Sequence, residues 1–297
     1  MKTKPLKRIN LPRKLTAMAL AACSVLTCAY SQAATSASSS GSSTSEKHIY
    51  VGNYDFSTNP WGWEGTEGSG WYEQIATTTG STTSMNGAIY KWTNFADTVF
   101  SGVKAYPSFR RGIPNSQNVP SSSGFPYLIA SNTKNINVSW TFVTAGYTGT
   151  GSITGSYNHT LDLFMTKSST STSPKNIKGE IMIIPSSSGN SQTDGWGNKY
   201  TTTFIDSYGA TWDVWYTTQK SEEGGITYSW PVTQYRKRTQ SKTLNINVKF
   251  FMADAKNRDA TMFASSYYVG MVEAGTEIKY GSGRVTTTAY SVSVTGS

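Results

Sequence analysis

Apolar and polar residues alternate in short runs along most of the chain. In "LNINVKFFM", Leu244, Ile246, Val248, Phe250 and Met252 share one side of an extended backbone, because successive strand side chains point to opposite faces. "NVSWTFVT" places Val138, Trp140 and Phe142 on another such face, and "TWDVWYTT" and "TAYSVSV" follow the same pattern. Between the runs stand Gly, Asn-Gly, Ser and Thr, the punctuation of turns. One stretch breaks the rhythm: "FFMADAKNRDATMFASSYY", residues 250–268, offers a short helix. Many short strands rich in Thr, Val, Tyr and Trp predict an all-β fold, a large antiparallel β-sandwich or jelly roll.

The first 46 residues do not belong to that pattern. "MKTKPLKRINLPRK" carries six Lys or Arg and no acid, residues 15–30 are mostly apolar or small, and "SQAA" supplies small residues at 31–34. That order is the one found in secretory signal peptides, with a cut after Ala33. Its apolar core is too short for a membrane span. "ATSASSSGSSTSE", residues 34–46, reads as a Ser-rich flexible linker, which leaves 47–297 as a single domain. An alternative reading of "LAAC" is the box before a lipid-modified cysteine, which would anchor the chain through Cys23; the apolar "SVLTCAY" that follows argues against it.

Removing the leader changes the charge argument. The formal charge of the 297-residue chain is +9; without residues 1–33 it has 20 Lys and Arg against 17 Asp and Glu, a net charge of +3. "YRKR" at 235–238 is the one dense basic cluster left, which is no footprint for nucleic acid. Both cysteines, Cys23 and Cys28, lie in the leader, so the mature chain has no thiol chemistry. Two histidines, His48 and His159, are too few for a zinc cluster, and neither sits in a recognisable nucleophile setting. No glycine-rich phosphate loop precedes a helix. What remains is carboxylates on strands among abundant Trp and Tyr. Aromatic faces stack on pyranose rings, and two carboxylates can cleave a glycosidic bond.

The carboxylates can be placed by parity. In "KGEIMIIP", Glu180, Met182 and Ile184 point one way and Ile181 and Ile183 the other. In "YNHTLDLFMT", Asp162 and Phe164 oppose Leu161, Leu163 and Met165. A symmetric hairpin centred near residue 171 predicts Asp162 directly beside Glu180, a pair in which one pKa must rise. In "VGMVEAGTEI", Met271, Glu273, Gly275 and Glu277 share a face, with Val272, Ala274, Thr276 and Ile278 toward the core. Gly275 leaves room for another chain or a substrate. Parity does not choose between Glu273 and Glu277 as the working acid.

Taken in order, "YNHTLDLFMT", "GEIMII", "YSW" at 228–230 and "VEAGTEIKYGSG" resemble glycoside hydrolase family 12, with "NPWG" at 59–62 and "GVKAYPS" at 102–108 also in sequence order. The resemblance runs from about residue 50 to the end. It implies a jelly roll with an open cleft on its concave face and a secreted retaining endo-β-1,4-glucanase, a cellulase. It further implies Glu180 as nucleophile, Glu277 as acid/base and Asp162 as the carboxylate that hydrogen-bonds the nucleophile. Trp61, with Asn59 beside it, matches a sugar-stacking tryptophan; Tyr90 and Trp92 match cleft aromatics; Met182 matches a methionine beneath the scissile sugar. The chain departs from the family where Ile184 replaces a cleft tryptophan and Ala274 a phenylalanine, which bears on substrate preference. A xyloglucan-specific endoglucanase is the alternative within the same chemistry; a non-catalytic carbohydrate-binding jelly roll is the alternative outside it. The partner implied is a β-glucan (cellulose, xyloglucan or mixed-linkage glucan), met by a monomer, with no metal and no cofactor.

Overall fold

The computed structural model describes residues 35–40, 46–60, 71–77, 85–96, 102–113, 124–129, 134–189 and 196–296. The leader, its two cysteines, residues 41–45 and Trp61 lie outside these. Strands make up 62% of the structure. In chain order they are β1 (Thr35–Ser40), β2 (His48–Val51), β3 (Tyr54–Ser57), β4 (Tyr72–Thr77), β5 (Ile89–Phe95), β6 (Ser108–Gly112), β7 (Tyr127–Leu128) and β8 (Asn135–Ala145). Next come β9 (Thr154–Thr166), β10 (Ile177–Ser188), β11 (Asn198–Lys199), β12 (Phe204–Ile205), β13 (Thr211–Glu223), β14 (Ile226–Lys237) and β15 (Thr243–Asn247). Helix α1 (Val248–Arg258) and a short 3-10 turn (Ala260–Phe263) precede the last strand, β16 (Tyr268–Thr295).

The long β16 joins two sheets. Its first half runs between β6 and β9 in a front sheet ordered β2-β3-β6-β16-β9-β10-β14-β13. Its second half runs between β5 and β8 in a back sheet ordered β1-β4-β5-β16-β8-β15. The core fills the space between. Leu161, Leu163, Met165, Ile181, Ile183, Val272 and Ala274 come from the front sheet, and Ile75, Val138, Trp140, Phe142, Tyr290 and Val292 from the back. Val272 and Ala274 are where alternation puts the core side, and Leu161, Leu163 and Met165, like Val138, Trp140 and Phe142, share one face as the alternation has them. The rings of Phe109 and Tyr290 meet across the layers at 4.4 Å. His159 belongs here too: its Nδ1 lies 2.6 Å from the Thr276 hydroxyl, and burial pushes its pKa down to about 3, so it is a neutral core residue.

Three expectations need correction. The sheets are not wholly antiparallel, because β10 and β14 run parallel, with Glu180 opposite Val232. The alternation read through Met252 ends at Asn247, whose side chain accepts the Lys249 N–H at 3.1 Å and starts α1. From there burial follows helical spacing at Val248, Phe251, Met252 and Ala255, and Phe250 faces solvent. Finally, the serine-rich segment is not all linker. Thr35–Ser40 pairs in register with β4, and the Ser39 hydroxyl lies 3.0 Å from that of Thr58. Backbone pairing needs no apolar side chain, so composition alone conceals such a strand. No helix among the described residues is long and apolar enough to cross a membrane.

Candidate active site

The acids stand on the front sheet, on the face turned away from the core. Three adjacent strands supply them. On β9, Asn158, Thr160, Asp162 and Phe164 alternate with the core residues His159, Leu161 and Leu163. On β16, Glu273 lies directly opposite Asp162, and Glu277 opposite Asn158. On β10, Met182 lies opposite Asp162 and Glu180 opposite Phe164. Asp162 is therefore a diagonal neighbour of Glu180, two positions off the directly facing place that a symmetric hairpin predicts. A one-residue register shift between Ile177 and Gly179 brings Glu180 opposite Phe164, on the same face as Asp162, where the register before it would have set Glu180 against the core residue Leu163.

Glu180 and Glu277 flank β9 six positions apart along it. A flat sheet would hold such residues on the order of 20 Å apart. The charge of Glu277 nevertheless favours the protonated form of Glu180.

Each carboxylate has its own partners. The Trp230 indole N–H donates to Glu180 Oε2 at 2.8 Å. Asn158 Nδ2 donates to Glu277 Oε2 at 3.1 Å, and the Thr160 hydroxyl to Asp162 Oδ1 at 2.6 Å. Arg236 extends the chain of contacts, donating to Asn158 Oδ1 at 3.4 Å and to the Ser187 hydroxyl at 3.1 Å. Glu273 has the strongest partner: Arg110 Nε donates to its Oε1 at 2.6 Å, the Ser108 hydroxyl donates to the same oxygen, and Arg110 also reaches Glu46 at 2.8 Å. Gly275, between the two glutamates, has the Pro107 carbonyl oxygen 2.4 Å from where a Cβ would sit. The room it leaves is filled by the neighbouring chain.

Burial dominates the electrostatics. It pushes the Glu180 pKa up to about 8; the Trp230 hydrogen bond pulls it down, and the charges of Glu277 and Glu273 push it up. Asp162 is raised by burial and then by Glu180 and Glu277. Glu277 is raised by burial and moderated by Asn158, Arg236 and Lys279. Glu273 is raised by burial and pulled back by Arg110 and Ser108. The cluster thus holds protons at pH values where exposed carboxylates have lost them, a condition for acid chemistry near neutrality.

Of the binding residues named from sequence, Met182 joins the acids, packing with Ile177, Ile184, Trp230 and Val232 in a second apolar cluster on the front face. Asn59 sits just past β3 with φ 43°, and its carbonyl accepts the Tyr106 N–H at 3.0 Å. Tyr90 and Trp92 are corrected. They are 4% and 0% exposed, stack on each other at 5.2 Å, and face the interior from β5. Neither can offer a ring face to a ligand, because alternation along β5 turns both toward the core. Sequence reasoning gave no role to Trp230, Asn158 or Arg110. Asn158 was within reach, since it shares the parity of Asp162; the other two lie on strands whose neighbours the sequence does not reveal.

Comparisons with known proteins agree with this architecture. No family model matches the chain. A curated relative, Endoglucanase S of Pectobacterium parmentieri, is 24% identical over 259 residues, covering 86% of this chain and 88% of its own. A family 12 xyloglucanase from Bacillus licheniformis superposes with a TM-score of 0.70 at 23% identity, covering 88% of this chain and all of that one. Endoglucanase cel12A from Rhodothermus marinus gives 0.65 at 22% identity over 87% of this chain and 99% of its own. The fold is the jelly roll of these structures.

Proposed function

We propose that the protein is a secreted retaining endo-β-1,4-glucanase that cuts internal bonds of a β-glucan by double displacement. The observation that carries this reading is a set of three interacting carboxylates on adjacent strands of one sheet face, Glu180 and Asp162 buried and Glu277 part-buried, in a fold shared with family 12 hydrolases. A protein that only grips sugar gains nothing from crowding three acids together, since a neighbouring negative charge raises a carboxyl's proton affinity.

In this mechanism Glu277, protonated, gives its proton to the departing glycosidic oxygen while Glu180 attacks the anomeric carbon. Water, deprotonated by Glu277 now acting as base, then releases the glycosyl group from Glu180. Trp230 stabilises the Glu180 carboxylate, and Asn158 aims Glu277. Asp162, diagonal to Glu180, takes up or returns the proton that its neighbours' charge forces onto the cluster. Neither metal nor cofactor enters the chemistry. Glu277 is assigned as the acid over Glu273 because its hydrogen-bond donor is a neutral amide, whereas Glu273 is locked to a guanidinium. The basic and apolar start of the chain supports export.

The test is release of reducing ends from carboxymethyl-cellulose, xyloglucan and mixed-linkage glucan by the chain from residue 34 onward. Hydrolysis of at least one, abolished by Glu180→Gln with polysaccharide binding retained, is the expected result. Binding without hydrolysis of any would reduce the protein to a carbohydrate-binding jelly roll.

A further inference from the structure

The front face carries a second feature, beyond the acids. A groove of about 480 Å³ opens at the β13–β14 side, lined among others by Ile184, Lys199, Asp213, Trp215, Arg236 and Arg238. Trp215 stands in the same cross-strand row as Asp162, through Met182 and Gln234. Three strand spacings put it roughly 14 Å away. A polymer lying across the strands over the acids therefore reaches the groove.

Its chemistry is specific. Trp215 is half-buried and offers the kind of surface on which a pyranose ring stacks, with the Lys199 ammonium 5.7 Å from its centroid. Lys199 and Arg238 both bind Asp213, at 3.1 and 2.9 Å, and both remain about half exposed. Asp213 is the single acid among the described lining residues, against the cations Lys199, Arg236, Lys237 and Arg238. Lys199 spends one of its three N–H donors on Asp213, and Arg238 uses its Nε and one Nη. Both half-exposed cations keep donors beyond those given to Asp213, and both line the groove that Trp215 also lines. A neutral sugar needs no such surplus of positive charge, but a sugar carrying a carboxylate does.

We infer that this groove is a subsite for an acidic sugar: it takes a pyranose bearing a carboxylate, a uronic-acid unit of the polysaccharide, with the ring on Trp215 and the carboxylate on Lys199 and Arg238. The inference rests on the glucanase reading for the path of the polymer. It sets the protein's preference among glucans at a point remote from the cleaved bond.

The experiment is calorimetric titration of the Glu180→Gln chain with a neutral cello-oligosaccharide and with the same oligosaccharide oxidised to the carboxylate at C6. At low salt the acidic ligand should bind about tenfold tighter. The gap should shrink several-fold at high salt and vanish in the Lys199→Ala/Arg238→Ala variant, whose two positions are exposed enough to substitute without unfolding. Lys199→Gln alone should remove at least about a third of the gap in free energy. Equal or tighter binding of the neutral ligand, or a gap that survives the double substitution, would overturn the inference. Hydrolysis by the unsubstituted chain separates the two readings. Cleavage of neutral glucan without acidic preference sinks the subsite alone; acidic preference without cleavage of any glucan sinks the glucanase and leaves the subsite.

Discussion

Glu273 and Glu277 stand four residues apart on one face of one strand, yet their surroundings differ in kind. Glu273 is fastened by the Arg110 guanidinium and the Ser108 hydroxyl, and Arg110 in turn holds Glu46. Glu277 has a neutral amide on one oxygen and feels more distant cations. The first arrangement is that of a structural ion pair, in which the guanidinium anchors the carboxylate and favours its charged form. The second leaves a carboxyl that can gain and lose a proton, which is what turnover demands. Identical residues of identical parity are told apart by which strand lies next to each: β6, with Arg110, runs beside residues 271–275 and stops short of 277.

Substitutions can break or sharpen this contrast. The largest effect belongs to the nucleophile: Glu180→Gln should lower kcat by more than about 10⁴-fold. Glu277→Gln should cost about 10²–10⁴-fold in kcat while moving stability by no more than about 1 kcal/mol, because its hydrogen-bond donor, Asn158, is a neutral amide that a glutamine oxygen accepts equally well. Glu273→Gln should show the reverse, losing about 3 kcal/mol of stability by leaving Arg110 short of a counter-charge. Chemical denaturation of the two variants side by side measures the difference. Equal destabilisation would erase the distinction drawn here. Trp230→Phe keeps the ring and removes the donor to Glu180, so kcat should fall roughly tenfold.

A further effect is a dependence of stability on pH. Glu180 binds its proton more tightly in the folded protein, up to about pH 8, than in the unfolded chain, where it is an ordinary carboxylate. Between those values the folded state holds more protons, so the contribution to stability present below the unfolded pKa is lost as pH rises through the folded one. Glu180→Gln cannot titrate. Its melting temperature relative to the parent should therefore climb between about pH 5 and pH 8 and level off above. A constant difference would place Glu180 outside the buried cluster.

Much of this was legible in sequence, for a definable reason. Period two sorts Leu161 from Asp162 and Ile181 from Glu180 without knowing any partner strand, and the sheet keeps that sorting. The family resemblance, not parity, points Tyr90 and Trp92 toward the cleft, whereas both lie in the interior. Register is likewise hidden. The β9–β10 pairing is not centred on residue 171, so Asp162 lies diagonal to Glu180 and not opposite it. Arg110 and Arg236 come from strands far along the chain, and no local pattern announces that they will meet Glu273 and Asn158.

The central claim is that Glu180 forms the covalent bond to sugar. A 2-deoxy-2-fluoro cello-oligosaccharyl fluoride, incubated with the protein and followed by peptide mass spectrometry, tests it directly. The account requires a stoichiometric adduct on the peptide containing Glu180, absent in Glu180→Gln. An adduct on Glu273 or Glu277, or cleavage of substrate with inversion and no adduct at all, would contradict it.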